Sequence, residues 1–523
     1  MRFYLVPLDD SVSQSLVPPH VVKHLSHKWL IPEPLLNHKD KLNIPLVRLS
    51  DLPPDKLEFP SLNTTFQINE EVENMIKGRR LLLDEVIATI PLDVIYDHIC
   101  NGYIRYQSAI NRKPKLTCVR CGNDDPFLFG EISCARCVDK CAYCRACIQM
   151  GKVTECSPLL TWHGEESAES RNHPLGWEGE LSPAQDKASE ALVTHVMSSY
   201  LMERKFLIWA VCGAGKTEML FEAIQSGLAK GDSVLIATPR TDVVLELLPR
   251  MVMAFPNTVV RAFHGGVKPE ERYAQAELVI ATTHQLLRFY DHFPLAIIDE
   301  VDAFPFSYDK KLQYAVECAR SKQSLTVYVT ATPSDELKRR VNSGELAHVK
   351  VPRRYHGFDL PVPKRVWVGD WRKKLEKNVL PMKVINWIQR HVNAKKQVFL
   401  FVAKISLMAT IEEVLKSKLD TVVESVHASD PDRREKVSRF RAGEMNVLVT
   451  TTILERGVTI KGVQVGVLGA EDRIFTESAL VQIAGRVGRS ADEHDGDVIF
   501  FHYGNTNAIV RAVRHIEAMN DQT

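Results

Sequence analysis

The sequence predicts an α/β protein that carries two parallel-sheet domains in tandem. From Phe206 onward, short and fully apolar segments alternate with amphipathic segments, which is the pattern of strands and helices. The pattern pauses where Pro352, Pro361 and Pro363 interrupt it, and then it repeats. Because strands without polar alternation are buried on both faces, each repeat predicts a doubly wound sheet with helices on both sides.

The expected strands divide between the two domains. Those of the first domain, placed at 175–355, are Phe206–Trp209, Val234–Thr238, Leu278–Ala281, Leu295–Ile298 and Leu325–Thr330. Those of the second domain, placed at 360–523, are Gln397–Val402, Val422–Val426, Asn446–Thr450 and Val463–Leu468. Since functional loops of such sheets lie at the carboxyl ends of the strands, we expect the chemistry of each domain there.

Bulk composition sets limits on the class of protein. A chain of 523 residues exceeds what a single core supports, so several domains are expected. The net charge of +1 restricts any nucleic-acid surface to a local basic patch. No apolar run approaches the ~18 residues of a membrane-spanning helix, and Met1–Asp10 has too short an apolar core for a secretory signal. We expect a cytoplasmic protein, with a peripheral position at the inner face of the cell membrane as a further expectation.

Residues 1–115 predict an N-terminal domain to which no chemistry can be assigned. Prolines interrupt it repeatedly. A helix is expected over Glu70–Ile90, and a helix followed by a strand over Leu92–Tyr106. Scaffolding is the favoured role, and docking or specificity is the alternative. Residues 158–180 predict a polar linker, after which Ser182 is a good N-cap for the next helix.

Eight of the 11 cysteines lie between Cys118 and Cys156. Paired cysteines two residues apart place two thiolates on one turn, and two such pairs make a tetrahedral zinc site. Because disulfides are rare in the cytosol, the segment 116–157 predicts a structural zinc module, with an iron–sulfur cluster as the alternative. The expected ligands are Cys118, Cys121, Cys134, Cys137, Cys141, Cys144, Cys147 and Cys156. A nested pairing of the first two with Cys144 and Cys147 is plausible, and the other four would then form a second site or be partly free.

A glycine-rich turn at Ala210–Glu218 lies between the first strand of the first domain and a helix. This is the context of a phosphate-binding loop. Gly213 and Gly215 allow backbone N–H groups to face phosphate, Lys216 can reach the β- and γ-phosphates, and the Thr217 hydroxyl can bind Mg²⁺. Ala210 stands where the common pattern has glycine, so a turn that binds no nucleotide is the alternative. The expected nucleotide contacts in the turn are Gly213, Ala214, Gly215, Lys216, Thr217 and Glu218.

Two further groups of charged residues belong with this loop. Asp299 and Glu300 follow a strand, where the first would hold Mg²⁺ and the second would orient the attacking water. Arg486 and Arg489 lie near the end of the second domain, from which a guanidinium can reach the γ-phosphate across a cleft. We expect Arg489 to be the arginine finger and Arg486 to sense the γ-phosphate. Surface carboxylates and surface arginines are the alternatives.

Together these segments resemble the motifs of superfamily 2 helicases and translocases, in matching order over about residues 180–500. The resemblance implies two RecA-like domains that share one ATP, and it implies that Gln185 recognises adenine. It also implies DNA-phosphate contacts from Arg240, Gly265, Gly266, Thr282 and Thr283 in the first domain and from Thr450 and Thr451 in the second. Thr330–Thr332 would couple the two sites. Thr459 departs from the family, in which many members carry an acid, so no nucleotide contact is assigned there.

A cysteine-rich module directly ahead of such a core, with Cys144 and Cys147 in Tyr-Cys-Arg-Ala-Cys, resembles the ComFA family of late-competence DNA-uptake ATPases. The resemblance implies ATP, Mg²⁺ and Zn²⁺ as cofactors and an ATP-dependent translocase or helicase that drives single-stranded DNA across the cytoplasmic membrane. Implied partners are single-stranded DNA, a phosphoribosyltransferase-like competence protein (ComFC family), the DNA-processing protein, the membrane DNA channel and a second copy of the chain. The replication-restart helicase PriA also has cysteine pairs, but they interrupt its core. A PriA-like restart or repair helicase is therefore the alternative, and an ATP-gated DNA-binding module without translocation is the alternative of another class.

Overall fold

The computed structural model describes residues 57–135, 139–164, 172–198, 203–455 and 460–522, together with short elements at 3–7, 23–24, 28–32, 46–47 and 49–51. The predictions at Cys137 and Thr459 lie outside these residues. The short elements form an antiparallel sheet with the strand order Leu46–Val47, Phe3–Pro7, Lys28–Pro32, Lys23–His24 and Leu57–Glu58. No helix in the described part of the chain combines the length and apolarity needed to cross a bilayer.

The N-terminal domain is built around a second antiparallel sheet, whose central strand is Pro158–Trp162. It pairs with Arg80–Leu82 on one side and Ile104–Ser108 on the other. The predicted linker at 158–180 is therefore wrong in its first residues, because Leu159 and Leu160 are buried in this sheet. The cysteine-rich segment lies in the sequence between the strands Ile104–Ser108 and Pro158–Trp162 of this sheet. It is therefore an insertion into the N-terminal domain.

The single helix expected over Glu70–Ile90 is also wrong. A helix at Glu70–Ile76 ends before Gly78, which adopts a φ of +69°. The chain then forms the buried strand Arg80–Leu82 and a short helix at Leu83–Val86. Periodicity does not separate these elements, since a short apolar run suits a buried strand as well as a helix. The expected helix and strand that follow are present at Leu92–Cys100 and Ile104–Ser108.

The first lobe is a parallel sheet of seven strands, and its helices cover both faces. The strand order across the sheet is Val260–Phe263, Leu278–Thr282, Val234–Thr238, Phe293–Asp299, Arg320–Thr330, Arg204–Ala210 and Ala347–Val351. Its helices are Pro183–Met197, Phe221–Ala229, Thr241–Ala254, Lys310–Ala319 and Asp335–Asn342. The five expected strands are present, and the two edge strands were not predicted because polar residues interrupt them.

The second lobe is a parallel sheet of six strands. The strand order is Lys364–Trp367, Val498–His502, Gln464–Leu468, Val398–Val402, Val447–Thr450 and Val423–Val426. Its helices are Trp371–Leu375, Met382–Asn393, Met408–Lys418, Arg433–Arg441, Glu477–Ala484 and Asn507–Asn520. The tandem doubly wound architecture predicted from the sequence is confirmed, and the four expected strands lie in adjacent positions of this sheet.

The cysteine-rich insertion packs against the first lobe and shares its hydrophobic core. Cys118, Cys121, Cys144 and Cys147 belong to the same apolar cluster as the strand and helix residues of that lobe. The Tyr314 hydroxyl donates to the carbonyl of Val119 at 3.0 Å. The insertion therefore forms one face of the first lobe's core rather than a separate appendage.

A buried charge cluster fixes the N-terminal domain to the same lobe. The Glu85 carboxylate lies 3.1 Å from Arg120, whose side chain is fully buried, and 3.6 Å from Arg288 of the first lobe. It also accepts a hydrogen bond from the backbone of Leu82 at 2.9 Å. Since a buried guanidinium is costly without an anion, Glu85 stabilises both the insertion and the domain junction.

Replacement of Glu85 by alanine should lower the free energy of unfolding by roughly 3–5 kcal/mol, because Arg120 and Arg288 lose their shared anion. Thermal unfolding followed by circular dichroism measures the loss. Glu131→Ala is the control, since its pair with Lys140 is mostly exposed, with 63% and 74% of the side chains accessible. That variant should change stability by under about 1 kcal/mol. Equal midpoints for the two variants would contradict the assignment of Glu85.

Candidate nucleotide site and zinc centres

The glycine-rich turn has the geometry of a phosphate-binding loop. It follows the strand Arg204–Ala210, and a short 3-10 turn at Glu218–Leu220 leads into the helix Phe221–Ala229. Gly213 and Gly215 adopt φ angles of +81° and +68°, which favour glycine. A Cβ atom at Gly215 would lie 2.3 Å from the amide nitrogen of Gln185, so a larger residue would displace that amide.

Gln185 lies behind this loop and supports it. Its amide oxygen accepts a hydrogen bond from the Ser182 backbone at 2.8 Å, which completes a capping box with that residue. Its amide nitrogen donates to the carbonyl of Ala214 at 2.9 Å. The side chain is 4% exposed and borders the nucleotide cleft. The structure thus gives Gln185 a contact with the loop, and the adenine contact remains a prediction.

A cleft of about 590 Å³ brings the predicted ATP residues together from both lobes. Its lining includes Gln185, Gly213, Ala214, Gly215, Lys216, Thr217, Glu218, Asp299, Glu300, Arg486 and Arg489. The backbone N–H of Glu300 donates to the Asp299 carboxylate at 2.9 Å, and Glu300 adopts a φ of +58°. Glu218 forms an ion pair with Arg250. Cations, carboxylates and a phosphate-binding turn on one cleft can hold a magnesium-bound nucleoside triphosphate.

The two arginines of the second lobe are held by backbone carbonyls. Arg486 is 1% exposed, and its Nε donates to the carbonyl of Glu455 at 2.9 Å. Arg489 Nε donates to the carbonyl of Gly485 at 3.0 Å. Burial lowers the pKa of Arg486 well below its usual value, and Arg489 lowers it further, whereas Glu300 raises it. The positive charge of Arg486 is therefore costly in this cleft, and an anionic ligand would stabilise it.

Arg354 connects the phosphate loop to the second lobe, and sequence reasoning missed it. It is 2% exposed and donates from Nη1 to the carbonyl of Gly488, and its side chain packs beside Gly213. The next residue, Tyr355, donates its backbone N–H to the carbonyl of Gly213 at 3.1 Å. Burial lowers the pKa of Arg354 to about 10, so it stays charged at neutral pH. Its position just after the last strand of the first sheet is the signal that could have found it.

The residues expected to contact DNA differ in their accessibility. Gly265 is open to its surroundings, and the Gly266 backbone donates to His264 Nδ1 at 3.1 Å. Arg240 forms an ion pair across the lobes with Glu455 at 2.7 Å. The four threonines of the predicted set are buried. One of them, Thr450, donates its hydroxyl to the carbonyl of Val426. The buried threonines are Thr282, Thr283, Thr450 and Thr451. In this arrangement Arg240 and the two glycines are the accessible members of the set.

A carboxylate beside the cleft joins the two lobes. Asp302 accepts hydrogen bonds from Thr330 at 2.5 Å and from Thr332 at 2.7 Å. It also accepts one from Ser478 of the second lobe, which the sequence reasoning did not select. Next to it, Glu477 lies 3.2 Å from His515 and 3.4 Å from Lys338, and the hydrogen bond with His515 and the charge of Lys338 lower the pKa of Glu477. The predicted coupling segment Thr330–Thr332 thus lies at a contact between lobes.

Four cysteines form a buried cluster suited to zinc. The Sγ atoms of Cys118 and Cys147 lie 3.9 Å apart, and those of Cys121 and Cys144 lie 3.7 Å apart. All four sulfurs lie within 4.8 Å of one another. Tetrahedral zinc with Zn–S bonds of about 2.3 Å separates its sulfurs by about 3.8 Å, so the cluster fits the ion. The nested pairing considered from the sequence is the one that the fold brings together.

A second cluster lies on the adjacent hairpin. The Sγ atoms of Cys134 and Cys156 lie 3.6 Å apart, and Cys141 completes a group within 4.8 Å. The hairpin pairs Phe129–Cys134 with Asp139–Cys144, and Cys137 falls between these strands in the sequence, outside the described residues. The Cys141 thiol lowers the pKa of Cys156, which favours the thiolate form that zinc requires. Three described cysteines could hold a second ion, with Cys137 as the proposed fourth ligand.

Comparison with known proteins follows the same division of the chain. Residues 64–161 match the competence protein ComFA N-terminal domain, residues 178–335 the type III restriction enzyme res subunit, and residues 379–491 the helicase conserved C-terminal domain. Competence protein ComFA of Bacillus subtilis is 46% identical over 460 residues, which are 88% of this chain and 96% of that protein. Competence protein ComFA of Streptococcus pneumoniae is 39% identical over 73% of this chain and 86% of that protein. A structure of RecG bound to a three-way DNA junction aligns with 66% of this chain and 46% of that chain, at 22% identity and a TM-score of 0.46.

Arg354→Ala should lower DNA-stimulated ATP turnover by about 10- to 100-fold. The reason is that the turn that carries the second-lobe arginines loses its contact beside the phosphate loop. Steady-state phosphate release at saturating single-stranded DNA measures the effect. Arg353→Ala is the matched control, since Arg353 is half-exposed and pairs with Asp359 at 2.6 Å on the surface. Turnover that falls equally in both variants would remove the proposed role of Arg354.

The purified chain should contain about two zinc ions, one for each cysteine cluster. Elemental analysis should show the loss of one ion in Cys121→Ser and of the other in Cys141→Ser, because each replacement removes a thiolate ligand. Cys121→Ser should also destabilise the first lobe, whose core contains the first cluster. Cys318 lies outside both clusters, so Cys318→Ser should keep the full zinc content. Iron in place of zinc, or unchanged zinc in Cys121→Ser, would contradict the assignment.

Proposed function

Because this chain belongs to the family of competence protein ComFA and is a DNA-dependent ATPase of superfamily 2, we propose that it is a single-stranded-DNA motor of DNA uptake. It uses ATP to move one strand across the cytoplasmic membrane during transformation. The observation that carries the proposal is the shared cleft, in which Arg486 and Arg489 of the second lobe line the same cavity as Gly213–Thr217. A nucleotide bound there contacts both lobes, so its hydrolysis changes how they fit together.

The cleft residues divide the chemistry among themselves. Lys216 binds the β- and γ-phosphates, and Thr217 and Asp299 hold Mg²⁺, which neutralises charge on the phosphates. Glu300 orients the attacking water. Arg489 contacts the γ-phosphate as the finger, and Arg486 senses its presence. Since both arginines are anchored on backbone carbonyls, they keep their direction and move only with their lobe.

The strand crosses both lobes on contacts that do not read sequence. Arg240, Gly265 and Gly266 hold phosphates on the first lobe, together with the backbone around Thr282 and Thr283. The backbone around Thr450 and Thr451 holds phosphates on the second, because the Thr450 hydroxyl is used within the sheet. Contacts from cations and backbone N–H groups fix the register of a strand without base specificity, and their affinity falls as salt rises.

The family assignment supports a set of partners. We propose that the chain acts at the cytoplasmic face of the membrane, next to the DNA channel, with a ComFC-like phosphoribosyltransferase-like competence protein and the DNA-processing protein. A second copy of the chain is a further proposed partner. The cysteine-rich insertion packs against the first lobe, so a partner that binds it would act on the motor core directly.

Lys216→Ala should reduce ATP hydrolysis to background and abolish transformation in a complemented deletion strain, while single-stranded DNA still binds. The reason is that Lys216 lines the phosphate end of the cleft and not the strand path. Phosphate release, fluorescence anisotropy and transformant counts give the three readouts. Lys187→Ala on the exposed face of Pro183–Met197 is the control and should behave as wild type.

The outcomes of this experiment separate the rival functions. Transformation that survives Lys216→Ala would favour the ATP-gated binding module, since a module that only recruits partners does not need hydrolysis. Efficient displacement of an annealed strand by the wild-type protein, without any loss of transformation in the deletion strain, would favour a PriA-like restart or repair helicase.

A further inference from the structure

The loop that follows the acidic motif exposes two aromatic rings. Phe304 is 71% exposed and Tyr308 is 74% exposed, whereas Phe306 between them is 5% exposed and belongs to the core of the first lobe. Exposed apolar rings that line a concave surface often mark a binding site. Phe306 anchors the loop, and the two outer rings stay in solvent.

Hydrogen bonds hold this loop in a defined shape. The backbone N–H of Ser307 donates to Ala303 at 3.1 Å, and that of Tyr308 donates to Pro305 at 3.1 Å. Gln313 donates to the carbonyl of Phe306 at 3.0 Å. Because the backbone is fixed, the two rings are presented at low conformational cost, as a stacking surface requires.

The rings line a cavity of about 940 Å³ between the lobes, and this cavity is separate from the nucleotide cleft. Six cationic and six acidic residues line it, and several of them pair with one another. Examples are the pairs Arg240–Glu455 at 2.7 Å, Lys338–Glu477 at 3.4 Å and Arg511–Asp335 at 3.5 Å. A wall of balanced charge does not select phosphate, but it accepts a flat, neutral group that stacks on an aromatic ring.

The loop is also attached to the residues that handle ATP. The backbone N–H of Ala303 donates to the carbonyl of Glu300 at 2.8 Å. Asp302, next in the chain, is bonded to Thr330 and Thr332 of the first lobe and to Ser478 of the second. A ligand that moves Phe304 therefore acts on the proposed water-orienting carboxylate and on the contact between lobes.

We propose that Ala303–Tyr308 is a nucleobase-binding loop, in which Phe304 and Tyr308 stack on unpaired bases of the translocating strand. The proposal rests on the proposed function as a single-stranded-DNA motor and adds the way in which the motor detects its substrate. Arg240 lines the same cavity, and a phosphate of the strand would compete with Glu455 for its guanidinium. Bases in a duplex are stacked on one another and cannot enter, so the loop gives the ATPase a preference for single strands.

The test compares an oligothymidylate with an abasic strand of the same length, because the two share phosphates and differ in bases. The wild-type protein should bind the oligothymidylate about 5- to 100-fold more tightly, and only that strand should stimulate ATP turnover fully. In Phe304→Ala and Tyr308→Ala the affinity difference should shrink, and in the double variant it should fall to about twofold or less. Phe304→Tyr and Tyr308→Phe keep a ring and should keep most of the preference.

The control is Trp367→Ala, since Trp367 is 60% exposed on the edge strand of the second sheet and lies outside the cavity. It should keep the preference for bases and wild-type ATP turnover, and thermal midpoints should show that all variants are folded. A wild-type protein that prefers bases to the same degree as the double alanine variant would overturn the loop proposal alone. A wild-type protein whose turnover no single strand stimulates would overturn the proposed function, and the loop proposal with it.

Discussion

The contact between the buried guanidinium of Arg354 and the backbone of Gly488 is the interaction on which the nucleotide site depends. It connects the segment that leaves the first sheet with the turn that carries Arg486 and Arg489. The same segment also contacts the phosphate loop, because Tyr355 donates its backbone N–H to the carbonyl of Gly213. The loop and the two arginines are thus positioned by one short stretch of chain. A change in the distance between the lobes therefore alters the positions of the phosphate-binding loop and of the two arginines together.

The site itself could be predicted from the sequence to a larger extent than the contacts that support it. Lys216 and Asp299 are recognisable because chemistry requires those residue types at the ends of strands, and Arg486 because it belongs to an arginine-rich motif; all three lie on one cleft. Arg354 and Ser478 carry no motif of their own, since each acts through a backbone carbonyl or a carboxylate that only the fold brings close. Gln185 shows the reverse case, in which a recognised residue makes a structural contact with Ala214 that its motif does not indicate.

The fold was predictable where apolar runs are long and failed where they are short. Strands such as Val234–Thr238 are apolar throughout because helices cover both faces, and their pattern is unambiguous. The segment 70–90 contains two turns of helix, a glycine at positive φ and a three-residue strand, so no window of periodicity describes it. Pro158–Trp162 pairs with strands from about 50 and 80 residues earlier in the chain, and pairing over such distances leaves no local signal.

The interfaces between the described parts of the chain differ in how deeply their polar contacts are buried. The cysteine cluster around Cys118 and the Glu85 charge cluster are buried, so separation of the N-terminal domain from the first lobe would expose sulfurs and unpaired guanidinium groups. Between the lobes, the pair Arg511–Asp335 is 61% and 73% exposed, and pairs of this kind contribute under about 1 kcal/mol each. Such exposed pairs can break and form again at little cost, whereas the buried contact between Arg354 and Gly488 holds the lobes more firmly. The first lobe, the N-terminal domain and the cysteine-rich insertion are therefore joined by buried contacts, whereas part of the contact with the second lobe is exposed to solvent.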